Sequence, residues 1–321
     1  MEFDKDLLAE FERTLDTVHP EKGKIPIKIL GYGEISIVFE IVGDENANIA
    51  YKRLPVFETE AQVTSHINAY MEYNRLLKED LGIDVPETDT AWVPSRDGKA
   101  IVLYCVQEKL LPISMGNKII HQVDAAGIKQ LVLLVMNALK RIWVFNKQQT
   151  TIQVGIDGQV SNWSVQGFDP DMPRVDPDAS LKYIDTTTPM YRVNGEEAMD
   201  PTLFLKSAPG ILRKSLMGML HEVVDRYYDW RLVANDLIAN FYKEQLPALV
   251  PDVIATVNDF FSSDAAEFAI KPFTIDEIKA YYKHDKQIWT VFQSLRRMDR
   301  FVTTKIRRKT YNFYLPGKIK R

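Results

Sequence analysis

The sequence predicts an α+β protein in two lobes, a small antiparallel β-sheet followed by a larger, mainly helical part. Between Ile25 and Val106 most apolar residues fall in short strand-like runs broken by Gly, Pro, Asn and Asp clusters. From Ala125 onward they recur at three- and four-residue spacing over long windows. The sheet-forming half and the helix-forming half each carry polar residues whose types suit phosphate and divalent metal.

Phe3, Leu7, Leu8, Phe11, Leu15 and Val18 lie at helical spacing, and His19-Pro20 to Gly23 ends the pattern. Residues 1–24 thus read as a helix packing on the body. Residues 25–109 read as the sheet lobe. Ile25 to Ile41 is strand, glycine turn, strand; Gly43 to Asn48 is a turn; Ile49 to Leu54 is a third strand. Glu58 to Leu81 is a helix with Val63, Ile67, Tyr70, Met71, Leu76 and Leu77 as its apolar face, stopped by Gly82 and Pro86. Trp92–Pro94 and Ala100–Val106 form a hairpin about Ser95–Lys99, and Gln107–Leu110 is a polar connector. Residues 110–321 read as the helical lobe. It begins with a buried helix from Ala125 to Phe145 and continues with helices over 211–228, 230–244, 251–261 and from Thr274 onward. Two short strands interrupt it near Trp163–Val165 and Leu181–Ile184, and Thr186–Arg192 reads as a polar loop.

At 321 residues, 45% hydrophobic and 26% charged, the chain has the composition of a globular protein with a sizeable core. No run approaches the roughly 18 apolar residues of a spanning helix, and the N-terminus lacks a signal-peptide pattern. The one cysteine, Cys105, sits in an apolar run, as a core thiol of a cytoplasmic protein would. The five histidines show no ligand spacing, which leaves zinc chemistry unsupported.

Three local patterns bear on chemistry. Gly31-x-Gly33-x-x-Ser36 between two strands lets backbone N–H groups approach phosphate oxygens closely, although by itself it is also an ordinary hairpin turn. Lys52, in an otherwise apolar strand, is either a phosphate ligand or a lysine that snorkels to solvent. Asp157-x-x-x-x-Asn162, followed by Asp185 at the end of a strand, offers a base and two hard oxygen ligands of the kind used in phosphoryl transfer. Each is common by chance; their order along the chain gives them weight.

That order resembles the protein-kinase-like fold, and more closely its aminoglycoside phosphotransferase and choline kinase branch, from Ile25 to Asp185. The segment Glu72 to Pro86 looks like that branch's helix ending, and Val106 to Leu110 looks like its interlobe hinge, with Glu108 inside it. The resemblance implies an ATP- and Mg²⁺-dependent phosphotransferase with a hydroxyl acceptor. Gly31, Gly33 and Ser36 would cover the phosphates, and Lys52 would hold them while paired to Glu72. Glu108 would line the nucleotide site, Asp157 would be the base, and Asn162 and Asp185 would hold the metal. The pattern departs from the family where Gly155 replaces a histidine, Thr186-Thr187 replaces Phe-Gly, and the segment between Asn162 and Asp185 is long. A nucleotide-binding scaffold without activity and a nucleotidyl transferase remain as alternatives.

From Arg296 to Arg321 the chain carries ten Lys/Arg and one acid, Asp299, against an overall net charge of −4. With Phe301, Tyr311, Phe313 and Tyr314 interleaved, this segment is either a clasp on the acidic body or a nucleic-acid contact; the clasp is favoured.

Overall fold

The computed structural model describes residues 1–33, 36–43, 48–210 and 213–317, without the side chains of Glu21, Phe204, Lys214, Ser215, Met219 and His221. Glu34 and Ile35 of the glycine turn, residues 44–47 of the next turn, Ile211 and the basic residues Lys318, Lys320 and Arg321 lie outside this set. Helix α1 (Lys5–Thr14) starts on Asp4, whose carboxylate accepts from the N–H groups of Asp6 and Leu7. It buries Leu8, Phe11 and Glu12. Strands β1 (Ile27–Tyr32), β2 (Ile37–Ile41) and β3 (Ile49–Phe57) follow. Next come α2 (Glu60–Arg75) and the hairpin β4 (Thr88–Pro94) and β5 (Ile101–Glu108). The five strands form one antiparallel sheet in the order β1-β2-β3-β5-β4.

Side-chain alternation in β3 sorts its residues to two faces. Tyr51 points to the face covered by α1, where Phe11, Phe39, Tyr51 and Tyr104 form an aromatic cluster. Arg53 on the same face meets Glu12 of α1 through two hydrogen bonds of 2.7 and 2.8 Å, with both side chains at most 2% exposed. Tyr104 donates to the same carboxylate. Lys52 and Leu54 point the other way, toward α2.

The helical part begins with the single turn α3 (Gly116–Ile119) and the long α4 (Ala125–Gln148). It then runs through β6 (Ile152–Val154), β7 (Trp163–Val165), β8 (Leu181–Tyr183), β9 (Tyr191–Val193) and β10 (Glu196–Glu197). Helices α5 (Arg213–Asp225), α6 (Trp230–Lys243), α7 (Val250–Ser262) and α8 (Ile275–Phe301) complete it. Its core gathers Trp143, Trp163, Phe241 and Phe260, and takes in Tyr73, Leu76 and Leu77 from the end of α2. Among the described residues no helix is long and apolar enough to cross a membrane. The segment read as a polar loop contains β9, which pairs with β6 and β10. Three residues are too few to show periodicity, and the partner β6 lies some forty residues upstream.

The C-terminal aromatics dock on the sheet. Tyr311 and Phe313 join Leu54, Phe57 and Tyr70, while Tyr314 joins the cluster on the α1 side. Backbone carbonyls of this strap accept from Thr17 (2.6 Å, at Tyr311), Arg53 (2.7 Å, at Asn312) and Arg296 (3.0 Å, at Tyr314). Lys305 and residues 307–309 are exposed. Arg53 therefore ties three parts of the chain, α1, β3 and the strap. Arg53→Met leaves Glu12 buried without its partner and is expected to lower unfolding free energy by about 3–5 kcal/mol. The double variant Glu12→Met/Arg53→Met should recover much of that loss. Urea melts of the three proteins check both expectations.

Candidate functional site

The site is assembled where three segments meet: the β1–β2 turn, the middle of β3, and the chain from β6 to the end of β8. In the first, the Gly33 N–H donates to the carbonyl of Ser36 at 3.1 Å, closing a tight turn over Lys52. A Cβ at Gly33 would fall 2.5 Å from the Ser36 hydroxyl and 4.0 Å from the Lys52 stem, so a larger residue here would displace the Ser36 side chain. Gly31 sits at a register shift of β1 against β2.

The Lys52 ammonium lies 2.6 Å from an Asp185 carboxylate oxygen, with the two side chains 11% and 27% exposed. The β7–β8 hairpin explains how Asp185 arrives there. Trp163 pairs with Tyr183, and the Ile184 N–H donates to the carbonyl of Asn162 at 2.9 Å, which leaves Asp185 next in line beside the Asp157–Asn162 loop. That loop is held in several places. The Asn162 side-chain N–H₂ donates to the Asp157 carbonyl (3.3 Å), the Tyr183 hydroxyl accepts from the Asp157 N–H (3.3 Å), and Asn240 of α6 accepts from the Val160 N–H (3.0 Å). The Asp157 carboxylate accepts from the backbone and side chain of Gln159 at 3.1 and 3.2 Å.

Of the residues singled out in the sequence, the structure thus brings Gly33, Ser36, Lys52, Asp157, Asn162 and Asp185 to one place. Glu72 is not among them. Its carboxylate pairs with Arg75 at 2.8 Å, and no ion pair joins it to Lys52. The reason is helical phase. The buried stripe of α2 is Val63, His66, Tyr70 and Tyr73, and Glu72 is rotated by about 100° from Tyr73. The residue of α2 that comes closest to the expected role is His66, whose imidazole is buried and close enough to Lys52 to feel its charge. Burial pushes His66 down to about 4, and Lys52 adds to the effect. Glu108 ends β5 and reaches Lys182 of β8 at 2.7 Å, a strut between the sheet and the hairpin that carries Asp185.

The departures from the family pattern have structural explanations. Gly155 lies under the ring of Tyr228, which would stand 3.0 Å from a Cβ there, so tyrosine occupies the space a side chain at 155 would need. Tyr73 donates to the Gly155 carbonyl at 2.9 Å. Thr186 and Thr187 are fully buried. The Thr186 hydroxyl accepts from Gln107 at 3.2 Å, and the Thr187 carbonyl lies 3.2 Å from the His66 ring nitrogen, acting as acceptor from its N–H. Polar contacts to β5 and α2 thereby fix the chain after Asp185.

Sequence reading missed His66, Gln107, and the α6 pair Asp236–Lys243 (3.1 Å). Asp236 and Lys243 are seven residues apart and share a helix face, a spacing visible in the sequence. Both act on the loop through charge. Burial, then the carboxylates of Asp236 and Asp185, push Asp157 up to about 7, against the pull of Lys243 and of the Gln159 N–H. The unfolded chain loses this proton near pH 4, at about the ordinary aspartate value. Between those values the folded protein holds a proton that the unfolded chain does not, so stability falls as pH rises. Asp157→Asn should therefore gain stability over the wild type progressively from about pH 4 to 7 and hold a constant advantage above. Thermal melts of the ligand-free proteins across that range test it; parallel curves would contradict the electrostatic assignment.

No curated protein matches the chain. Among solved structures, the GDP and kanamycin complex of the aminoglycoside phosphotransferase APH(2″)-IIia is similar at 13% sequence identity and a TM-score of 0.29, covering 77% of this chain and 95% of that one. The family of unknown function DUF6206 matches residues 12–300. That span takes in the sheet, the glycine turn, both aspartates and most of α8, and the chain belongs to this family.

Proposed function

We propose that the protein is an ATP- and Mg²⁺-dependent phosphotransferase acting on a hydroxyl acceptor, on a two-lobed protein-kinase-like fold. The observation that supports this best is the 2.6 Å contact of Lys52 with Asp185 beneath the Gly33–Ser36 turn, with Asp157 and Asn162 alongside. Strand pairing alone sets the glycine turn beside Lys52, but the D-x-x-x-x-N loop comes from about a hundred residues downstream and meets them through polar groups.

The donor set fits magnesium. Asn162 uses its N–H₂ on the Asp157 carbonyl, which leaves its side-chain oxygen for a cation, and Asp185 supplies a carboxylate beside it. Two such oxygen donors suit magnesium, an ion that takes few protein ligands and completes its shell with phosphate oxygens and water. Bound there, the ion would neutralise charge on the transferring phosphoryl group. Lys52 holds phosphate oxygens by charge, and the Gly33–Ser36 turn closes over them. Asp157 orients the acceptor hydroxyl and takes its proton. The hydroxyl oxygen forms the bond to the γ-phosphorus, the bond between that phosphorus and the β-bridging oxygen breaks, and ADP leaves with the electron pair.

A nucleotide-binding scaffold is the second reading, favoured by one feature: α2 gives Lys52 no carboxylate. Label transfer decides. Incubation with γ-labelled ATP, Mg²⁺ and a panel of alcohols should move label to an acceptor, and α-labelled ATP should not. Asp157→Asn should lower the transfer rate by about 10²–10⁴-fold with ATP affinity kept. Label from the α position would identify a nucleotidyl transferase, and no transfer of either label would support the scaffold.

A further inference from the structure

A cavity of about 160 Å³ opens on the same two carboxylates, Asp157 and Asp185. Its walls are apolar where α5 and α8 form them, while Gln159, Thr188, Arg226, Tyr227, Lys243 and Asp285 also reach the lining. Helix α5 contributes Leu216, Leu220 and Val224, and α8 contributes Ile288, Phe292 and Leu295. Most of the charged groups on its lining are already in ion pairs. Asp285 pairs with Arg226 at 3.2 Å and Lys243 at 3.4 Å, and Asp185 pairs with Lys52. Among the described carboxylates that line the cavity, only Asp157 is in no ion pair.

This lining discriminates by chemistry. An acceptor carrying ammonium groups would give up hydration in a largely apolar chamber where, of the three lining carboxylates, Asp185 and Asp285 already have cations. A sugar or other polyol could reach Gln159 and Thr188 with some hydroxyls, but would bury those turned to the leucine, valine and phenylalanine of α5 and α8 without partners. An apolar group meets neither obstacle, and cavities of about 150 Å³ lined by such side chains accept a benzene ring.

We propose that the acceptor is an uncharged alcohol whose hydroxyl-bearing end carries a compact apolar or aromatic group, seated between α5 and α8 with its hydroxyl at Asp157. This rests on the phosphotransferase reading for its chemistry but not for its binding. In the reaction the alcohol oxygen bonds to the γ-phosphorus of ATP, the bond from that phosphorus to ADP breaks, and the alcohol proton goes to Asp157.

Benzyl alcohol is the probe, with kanamycin as a polycationic competitor, in ligand-observed NMR titrations of the wild type. Two cavity-filling variants, Val224→Phe and Ile288→Phe, accompany it, each checked for a cooperative melt and for Mg²⁺–ATP binding. The expected result is saturable binding to the wild type, weakened about tenfold or more in whichever variant folds, with nucleotide affinity retained and no displacement by kanamycin. Equal binding to wild type and variants, or displacement by kanamycin, would overturn the proposal. The failures are separable: benzyl alcohol that binds in the cavity without accepting label from γ-labelled ATP upholds the cavity's chemistry and removes the phosphotransferase reading. Label transfer only to charged or polyhydroxylated alcohols does the reverse.

Discussion

The ion pair between Lys52 and Asp185 is the contact on which the site depends. It links the middle of the five-stranded sheet to the end of the β7–β8 hairpin, and both groups are largely withdrawn from water. A lysine facing inward from β3 would be costly without an anion, and an aspartate at the end of a buried hairpin would be costly without a cation. Each makes the other tolerable. Around the pair, elements with their own packing reasons settle into fixed positions. The Gly33–Ser36 turn lies over the lysine, the Glu108–Lys182 strut braces the hairpin, and buried Thr186 and Thr187 anchor the chain beyond Asp185. In the proposed reaction, phosphate and metal exchange for this pair: one component takes each partner, so no charge is left uncompensated.

Asp157 obeys a different constraint. It has no cation of its own and shares its neighbourhood with two other carboxylates, so its proton is held more tightly than an ordinary aspartate's. The Asp236–Lys243 pair on α6 moderates this, since lysine offsets part of what aspartate imposes. A group balanced in this way can accept a proton at neutral pH and release it again, which a fully ionised aspartate with a low affinity for protons does poorly. The apolar walls of α5 and α8 work in the same direction by excluding water from one side.

Much of the site was legible because its parts are local motifs. The glycine turn, Lys52, Asp157, Asn162 and Asp185 each stand out within a few residues, and their order along the chain suffices to group them. What failed was helix phase. The apolar count in α2 selected Met71 together with Val63 and Tyr70, yet Met71 is 45% exposed, while His66 and Tyr73, which it left out, are buried. Residues with both apolar bodies and polar tips escape a hydrophobic count, and Glu72, which the resemblance paired with Lys52, lies off the face they define and pairs with Arg75. The pairing of β6 with β9 and the cavity between α5 and α8 were out of reach for another reason. Their halves are separated by tens of residues, and no local pattern states which distant segments meet. The docked strap shows the opposite case. Tyr311, Phe313 and Tyr314 advertised a buried surface within a basic segment, and they are buried.

If nucleotide binding exchanges the Lys52–Asp185 contact for phosphate and metal, Asp185 carries the metal dependence of that binding. Calorimetric titration with ATP, in Mg²⁺ and in chelator, on the wild type and on Asp185→Ala tests it most directly. The account predicts wild-type binding at least about tenfold tighter with Mg²⁺, and loss of that difference in Asp185→Ala, where Lys52 alone still binds metal-free ATP. Wild-type affinity that is the same with and without Mg²⁺, or a metal dependence that survives the loss of Asp185, would contradict it.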